Sequence, residues 1–176
     1  EAEKPKRTHL LMKLACHTGM RLGEMAMMKW QRGPEDVGTG HARNYVYLTP
    51  EEQTLTIKFK RKLRVIPVGQ IWNIFEELKE RREPSDTFVF SSPMTDSHLT
   101  VSTLCHNWKD EVKKVDGLSR PYTSHSIRHG VVTHLLLQGV PVYKVGKIVG
   151  HSSEKITERY SHFIPDDLED AMDLLG

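Results

Sequence analysis

Apolar residues Leu10, Leu11, Met12, Leu14 and Ala15 cluster at helical spacing, which predicts a helix over residues 8–17 that Gly19 ends. The same period resumes with Leu22, Met25, Ala26 and Met28, predicting a second short helix over residues 21–30. Three glycines and a proline then mark residues 31–40 as a loop. Beyond it the period shortens. Residues 45–48 read as a strand, residues 54–59 alternate polar and apolar as a half-buried strand does, and residues 63–67 continue less cleanly. These three segments predict a small three-stranded antiparallel sheet with a tight hairpin turn between the last two. The rest reads as helical. Ile71, Ile74, Phe75 and Leu78 share one face of a helix over residues 70–82, a short extended piece covers 87–90, and an amphipathic helix covers 101–115. Thr123 or Ser124 caps a helix over 124–138 that stops before Gly139, Pro141 opens one to about Val149, and Ser152 opens one through Tyr160. Pro165, followed by Asp166 and Asp167, opens a final helix. The fold class is therefore mainly α with a small antiparallel sheet, α+β.

A length of 176 residues fits one domain or a domain with a tail. With 38% hydrophobic and 27% charged residues the balance is that of a globular chain, and no apolar run is long enough to span a membrane. Residues 1–7 are charged and lack the apolar stretch of a secretory signal. Cys16 and Cys105 form no motif, which favours a reduced, cytoplasmic setting. A net charge of +2 does not announce a nucleic-acid partner, but its distribution does more. Lys58, Lys60, Arg61, Lys62 and Arg64 place five cations within seven residues, while the acidic stretch 166–173 pulls the total back.

Four stretches carry candidate chemistry: Thr18-Gly19-Met20-Arg21-Leu22-Gly23-Glu24, His125-Ser126-Ile127-Arg128-His129, Val149-Gly150-His151-Ser152-Ser153 and Glu158-Arg159-Tyr160-Ser161-His162. Arginine forks suit the oxygens of a phosphodiester, imidazole exchanges protons near neutral pH, and a tyrosine hydroxyl is a nucleophile. Taken singly, each has an ordinary explanation as a surface arginine, a capping histidine or a packing tyrosine. His125 and His129 stand four apart, as zinc ligands do, but lack the intervening glutamate of that motif.

In order and spacing, with Tyr160 nine residues after His151, the set resembles the tyrosine recombinase (phage integrase) family over nearly the whole chain. The resemblance implies the catalytic-domain fold of that family and a site-specific recombinase or integrase that cuts and rejoins DNA through a 3′-phosphotyrosine bond. It implies that Arg21, Arg128, His125 and His151 contact the scissile phosphate, that His125 is the candidate base and that Tyr160 is the nucleophile. Glu24, one helical turn after Arg21, is placed to orient that guanidinium. A hairpin lysine protonates the leaving oxygen in this family. Here the turn before Arg64 and Pro67 is about two residues short, so Lys60 ranks first, Lys58 second by strand parity and Lys62 third. Lys58, Arg61, Lys62 and Arg64 are candidate DNA contacts.

The resemblance also implies a catalytic domain over residues 1–164 without the N-terminal DNA-binding domain of its parent protein, and a tail over 165–176 that docks on a neighbouring protomer. It implies a homotetramer on two synapsed double-stranded DNA sites, a prokaryotic or phage origin, a nucleoid location, no membrane, no metal and no cofactor. Two other readings use the same residues. One is an inactive or regulatory DNA-binding module of this fold, and the other is a type IB topoisomerase-like enzyme.

Overall fold

The computed structural model describes residues 6–33, 44–59, 62–118, 122–151 and 160. Helix α1 (Arg7–Thr18) buries Leu10, Leu11, Leu14 and Ala15, and Gly19 ends it in a left-handed conformation at φ 61°. Helix α2 (Leu22–Ala26) follows at once and is only 5 residues long. The chain then turns extended as β1 (Met28–Lys29), where the pattern predicted continued helix. Strand β1 runs parallel to β2 (Tyr45–Thr49), which pairs antiparallel with β3 (Thr54–Phe59), itself antiparallel to β4 (Lys62–Pro67). The sheet thus has four strands in sequential order rather than three. The additional strand is held by non-local bonds. Val89 N–H donates to the Met28 carbonyl at 2.8 Å and Trp30 N–H to the Thr87 carbonyl at 3.1 Å. Within the predicted extended piece 87–90, Phe88 forms an isolated bridge to Lys29, while Val89 and Phe90 lie in a turn.

After a 3-10 turn (Gly69–Ile71) come α3 (Trp72–Lys79) and α4 (Val101–Val112), and later α5 (Ser124–Leu137) and α6 (Val142–Val149). Both α4 and α5 begin with a threonine cap: Thr100 and Thr123 each accept a backbone N–H from the residue three positions on. The main core joins α1, α2, α3 and α4 to the inner sheet face, with Phe75, Phe90, Leu55 and Ile57 essentially enclosed. A second apolar cluster joins α5 to α6 through Val132, Leu136, Val145 and Val149. No helix among the described residues is long and apolar enough to cross a membrane. The predicted helices over 152–159 and 165–176, most of the predicted loop over 31–40, and residues Lys60 and Arg61 lie outside the described residues.

Candidate active site

Thr18 sets up the first turn of the site. Its hydroxyl donates to the Leu14 carbonyl at 2.7 Å and accepts the Met20 N–H at 3.3 Å, tying the end of α1 to the segment that leaves it. Gly19 is required twice over. A side chain there would take a strained left-handed φ, and its Cβ would lie 3.1 Å from Val149 and 3.3 Å from Val131. This close approach brings α1 against α5 and α6. It also delivers the Gly19 carbonyl to Arg128, whose Nη1 donates to it at 2.6 Å.

Arg128 is only 4% exposed. Among the described residues its Nη2 has no hydrogen-bond partner. Burial, followed by the Arg21 charge, pushes its pKa down to about 10, so it stays cationic at neutral pH. Arg21 stands at the N-cap of α2, where its own N–H donates to Glu24 Oε2 at 2.9 Å. Its Nη1 reaches Glu24 Oε1 at 3.3 Å, and the guanidinium makes long contacts of 3.4 Å to the Gly150 carbonyl. Nearly half of the Arg21 side chain remains exposed. Glu24, almost fully buried, also accepts from Arg64 Nη2 at 2.8 Å. Its carboxylate therefore joins α2 to β4.

The segment after α6 completes this face. Gly150 adopts φ 72°, and a Cβ there would overlap the Arg64 guanidinium. His151 follows. Burial first, then Arg128 and Arg21, push its imidazole down to about 4, so it is neutral at neutral pH. Lys62 Nζ donates to the His151 carbonyl at 3.0 Å. Register explains why this lysine reaches the site. Lys62, Arg64 and Ile66 stand opposite Phe59, Ile57 and Leu55, on the face that carries the core. Lys58 stands opposite Tyr45 and Leu63 on the other face, with its ammonium 5.5 Å from the Tyr45 ring. Strand parity thus directs Lys58 away from the arginines, while the first-ranked Lys60 lies outside the described residues.

His125 and His129 occupy successive turns of α5 with ring centroids 4.4 Å apart and nearly perpendicular. Tyr160 is half-buried against the α5–α6 cluster. Its hydroxyl meets Nδ1 of His129, and the two rings lie 5.6 Å apart. Sequence reasoning assigned His129 no role beyond a default polar one and named His125 as the candidate base. The signal was present, because His129 follows Arg128 directly and shares the His125 face of α5.

Two arginine forks, a neutral imidazole, a lysine and a tyrosine hydroxyl, drawn from sequence-distant segments, make a donor set suited to holding a phosphate. A family model described as the phage integrase family matches residues 1–165, and the chain belongs to that family. Among curated relatives, a XerC-like tyrosine recombinase of Caldanaerobacter subterraneus is 28% identical over 207 residues, covering 100% of this chain and 51% of its own. The integrase of Escherichia phage 186 is 29% identical over 98 residues, covering 54% of this chain and 29% of its own. The chain spans about half the length of the first of these. Among solved structures, XerH recombinase bound to difH substrate before cleavage superposes with TM-score 0.67 at 26% identity, covering 96% of this chain and 46% of its own. The Tn1549 transposon integrase in complex with circular intermediate DNA gives TM-score 0.68 at 18% identity, covering 99% and 62%. The fold is that of the tyrosine recombinase catalytic domain.

Proposed function

We propose that this chain carries the catalytic centre of a site-specific DNA recombinase, with double-stranded DNA as its substrate. The observation that carries the reading is the convergence of Arg21, Arg128 and His151 on one face beside Tyr160. Arg21 is open to a ligand, and buried Arg128 is held in place by the Gly19 carbonyl. Both can donate to the nonbridging oxygens of a scissile phosphate, where charge builds as the nucleophile attacks. Neutral His151 adds a further donor, and His125, one turn before His129 on α5, serves the same phosphate. Tyr160 attacks phosphorus and forms a 3′-phosphotyrosine bond, which conserves the energy of the broken strand for rejoining. Of the described lysines, Lys62 stands on the site face and is the proton source for the leaving 5′ oxygen. Lys58 and Arg61 contribute phosphate contacts, so binding is salt-dependent. The segment 165–176 docks on a neighbouring protomer in a tetramer on synapsed DNA, and the protein works at the nucleoid.

Covalent capture tests this reading. A nicked duplex is offered whose cleaved 5′-hydroxyl fragment diffuses away, trapping the enzyme on DNA. The expected result is a denaturation-resistant protein–DNA adduct that Tyr160→Phe abolishes. DNA binding without an adduct would favour an inert module. Relaxation of plasmids regardless of sequence would favour a topoisomerase.

A further inference from the structure

We propose that His129, rather than His125, is the base that takes the proton from the Tyr160 hydroxyl. The proposal rests on the recombinase reading above. It begins from one geometric fact: among the described residues, the side chain that meets the Tyr160 hydroxyl is His129, through Nδ1. His125 stands one turn earlier on α5, with its ring edge-on to that of His129. The proposal requires Nδ1 to accept from the phenol, which places the ring proton on Nε2.

The surroundings favour the form that accepts. Burial, then His125, then Arg128, lower the His129 pKa below the ordinary histidine value. Among the described residues the titratable and charged groups facing it are His125 and Arg128 on α5, His151 beyond α6, and Tyr160 itself. Among the described residues none of these is a carboxylate that would stabilise an imidazolium in advance. The ring is therefore neutral until the phenol proton arrives. In the forward step the Tyr160 Oη–P bond forms and the P–O5′ bond breaks. The phenol proton passes to His129 Nδ1, while the leaving O5′ takes a proton from Lys62 Nζ. Rejoining returns both protons by the same route, so the enzyme emerges unchanged. In this arrangement His125 is free to serve the phosphate rather than the phenol.

Two measurements test the assignment separately from the reading beneath it. The first needs no DNA. In nitrogen-15 spectra of the histidine rings, His129 is expected as the Nε2–H tautomer. Its titration midpoint should rise in Tyr160→Phe, because loss of the hydroxyl removes a bond made only to the neutral ring, and His125 should move less. A His129 signal indifferent to Tyr160→Phe overturns the proposal. The second uses a pool of nicked duplexes with a randomised core and follows adduct formation with time. His129→Ala is expected to slow the cleavage step about 10²–10⁴-fold without weakening DNA binding, and the remaining rate should climb with pH as the phenol ionises unaided. His129→Gln, which can accept a hydrogen bond but not a proton, should be equally slow. Recovery in His129→Gln would show that the residue only positions the tyrosine and would overturn the base role. An adduct that forms normally in His129→Ala would overturn the proposal and leave the recombinase reading standing. No adduct from the unsubstituted protein would overturn that reading, and the proton transfer with it.

Discussion

Glu24 and Arg64, 40 residues apart in sequence, meet at 2.8 Å beneath the site, and the same carboxylate holds Arg21 at 3.3 Å. Only 3% of the Glu24 side chain and 12% of the Arg64 side chain is exposed. A buried pair of this kind adds little over apolar packing, but losing one member strands the other. Glu24→Ala is therefore expected to destabilise the protein by about 3–5 kcal/mol, and Glu24→Gln by less, since an acceptor remains. Urea unfolding gives both values. A loss below about 0.5 kcal/mol for Glu24→Ala, the range of an ordinary surface substitution, would show that the pair does not join α2 to β4.

Gly19 admits no side chain. Gly19→Ala places an L-residue in left-handed backbone, which costs roughly 1–2 kcal/mol, and adds the squeeze against Val131 and Val149. Thermal unfolding should show at least that loss. Because the Gly19 carbonyl holds Arg128, cleavage should fall further than the stability loss explains at a temperature where the variant is folded.

The two faces of the hairpin give an opposed pair of outcomes. Lys62→Ala is expected to slow cleavage by about 10²–10⁴-fold, the usual reach of a general acid, and Lys58→Ala only slightly. A substrate whose bridging 5′ oxygen is replaced by sulfur needs no proton on leaving, so it should restore the Lys62→Ala rate. If sulfur restores nothing, Lys62 is not the acid, and Lys60 becomes the residue to test.

His151 makes stability depend on acidity. Its folded value of about 4 lies below the ~6.5 of an unfolded histidine. Between those values the unfolded chain binds more protons than the folded one, so stability rises with pH. The contribution is complete above about pH 6.5 and is lost as the pH falls toward 4. Urea unfolding across that range should show the slope, and His151→Asn should flatten it. A bound DNA phosphate should raise the His151 midpoint, because an anion favours the imidazolium.

Much of this architecture is local and was therefore legible. The end of α1 at Gly19 and the threonine cap of α5 are each signalled by neighbours within one turn. What the pattern missed is fixed at a distance. Strand β1 is two residues long and exists because β2 and residues 87–90 flank it, so no periodicity could announce it. The face of β3–β4 that turns toward the arginines, with Lys62 on it and Lys58 on the other, was not legible, because a turn shortened by about two residues obscures the register. The Arg64–Glu24 pair joins segments 40 residues apart, beyond anything that composition or motif order encodes.

Arg128 carries a buried nitrogen that no described residue satisfies. Under the proposed function, a phosphate oxyanion accepts from that nitrogen. The protein should therefore be more stable when loaded than when empty, by an amount that grows with ligand concentration. Melting temperature should climb with added phosphate or short duplex DNA at constant ionic strength, and climb less in Arg21→Ala. On the proposed reading, binding the substrate and settling a buried charge would be one event.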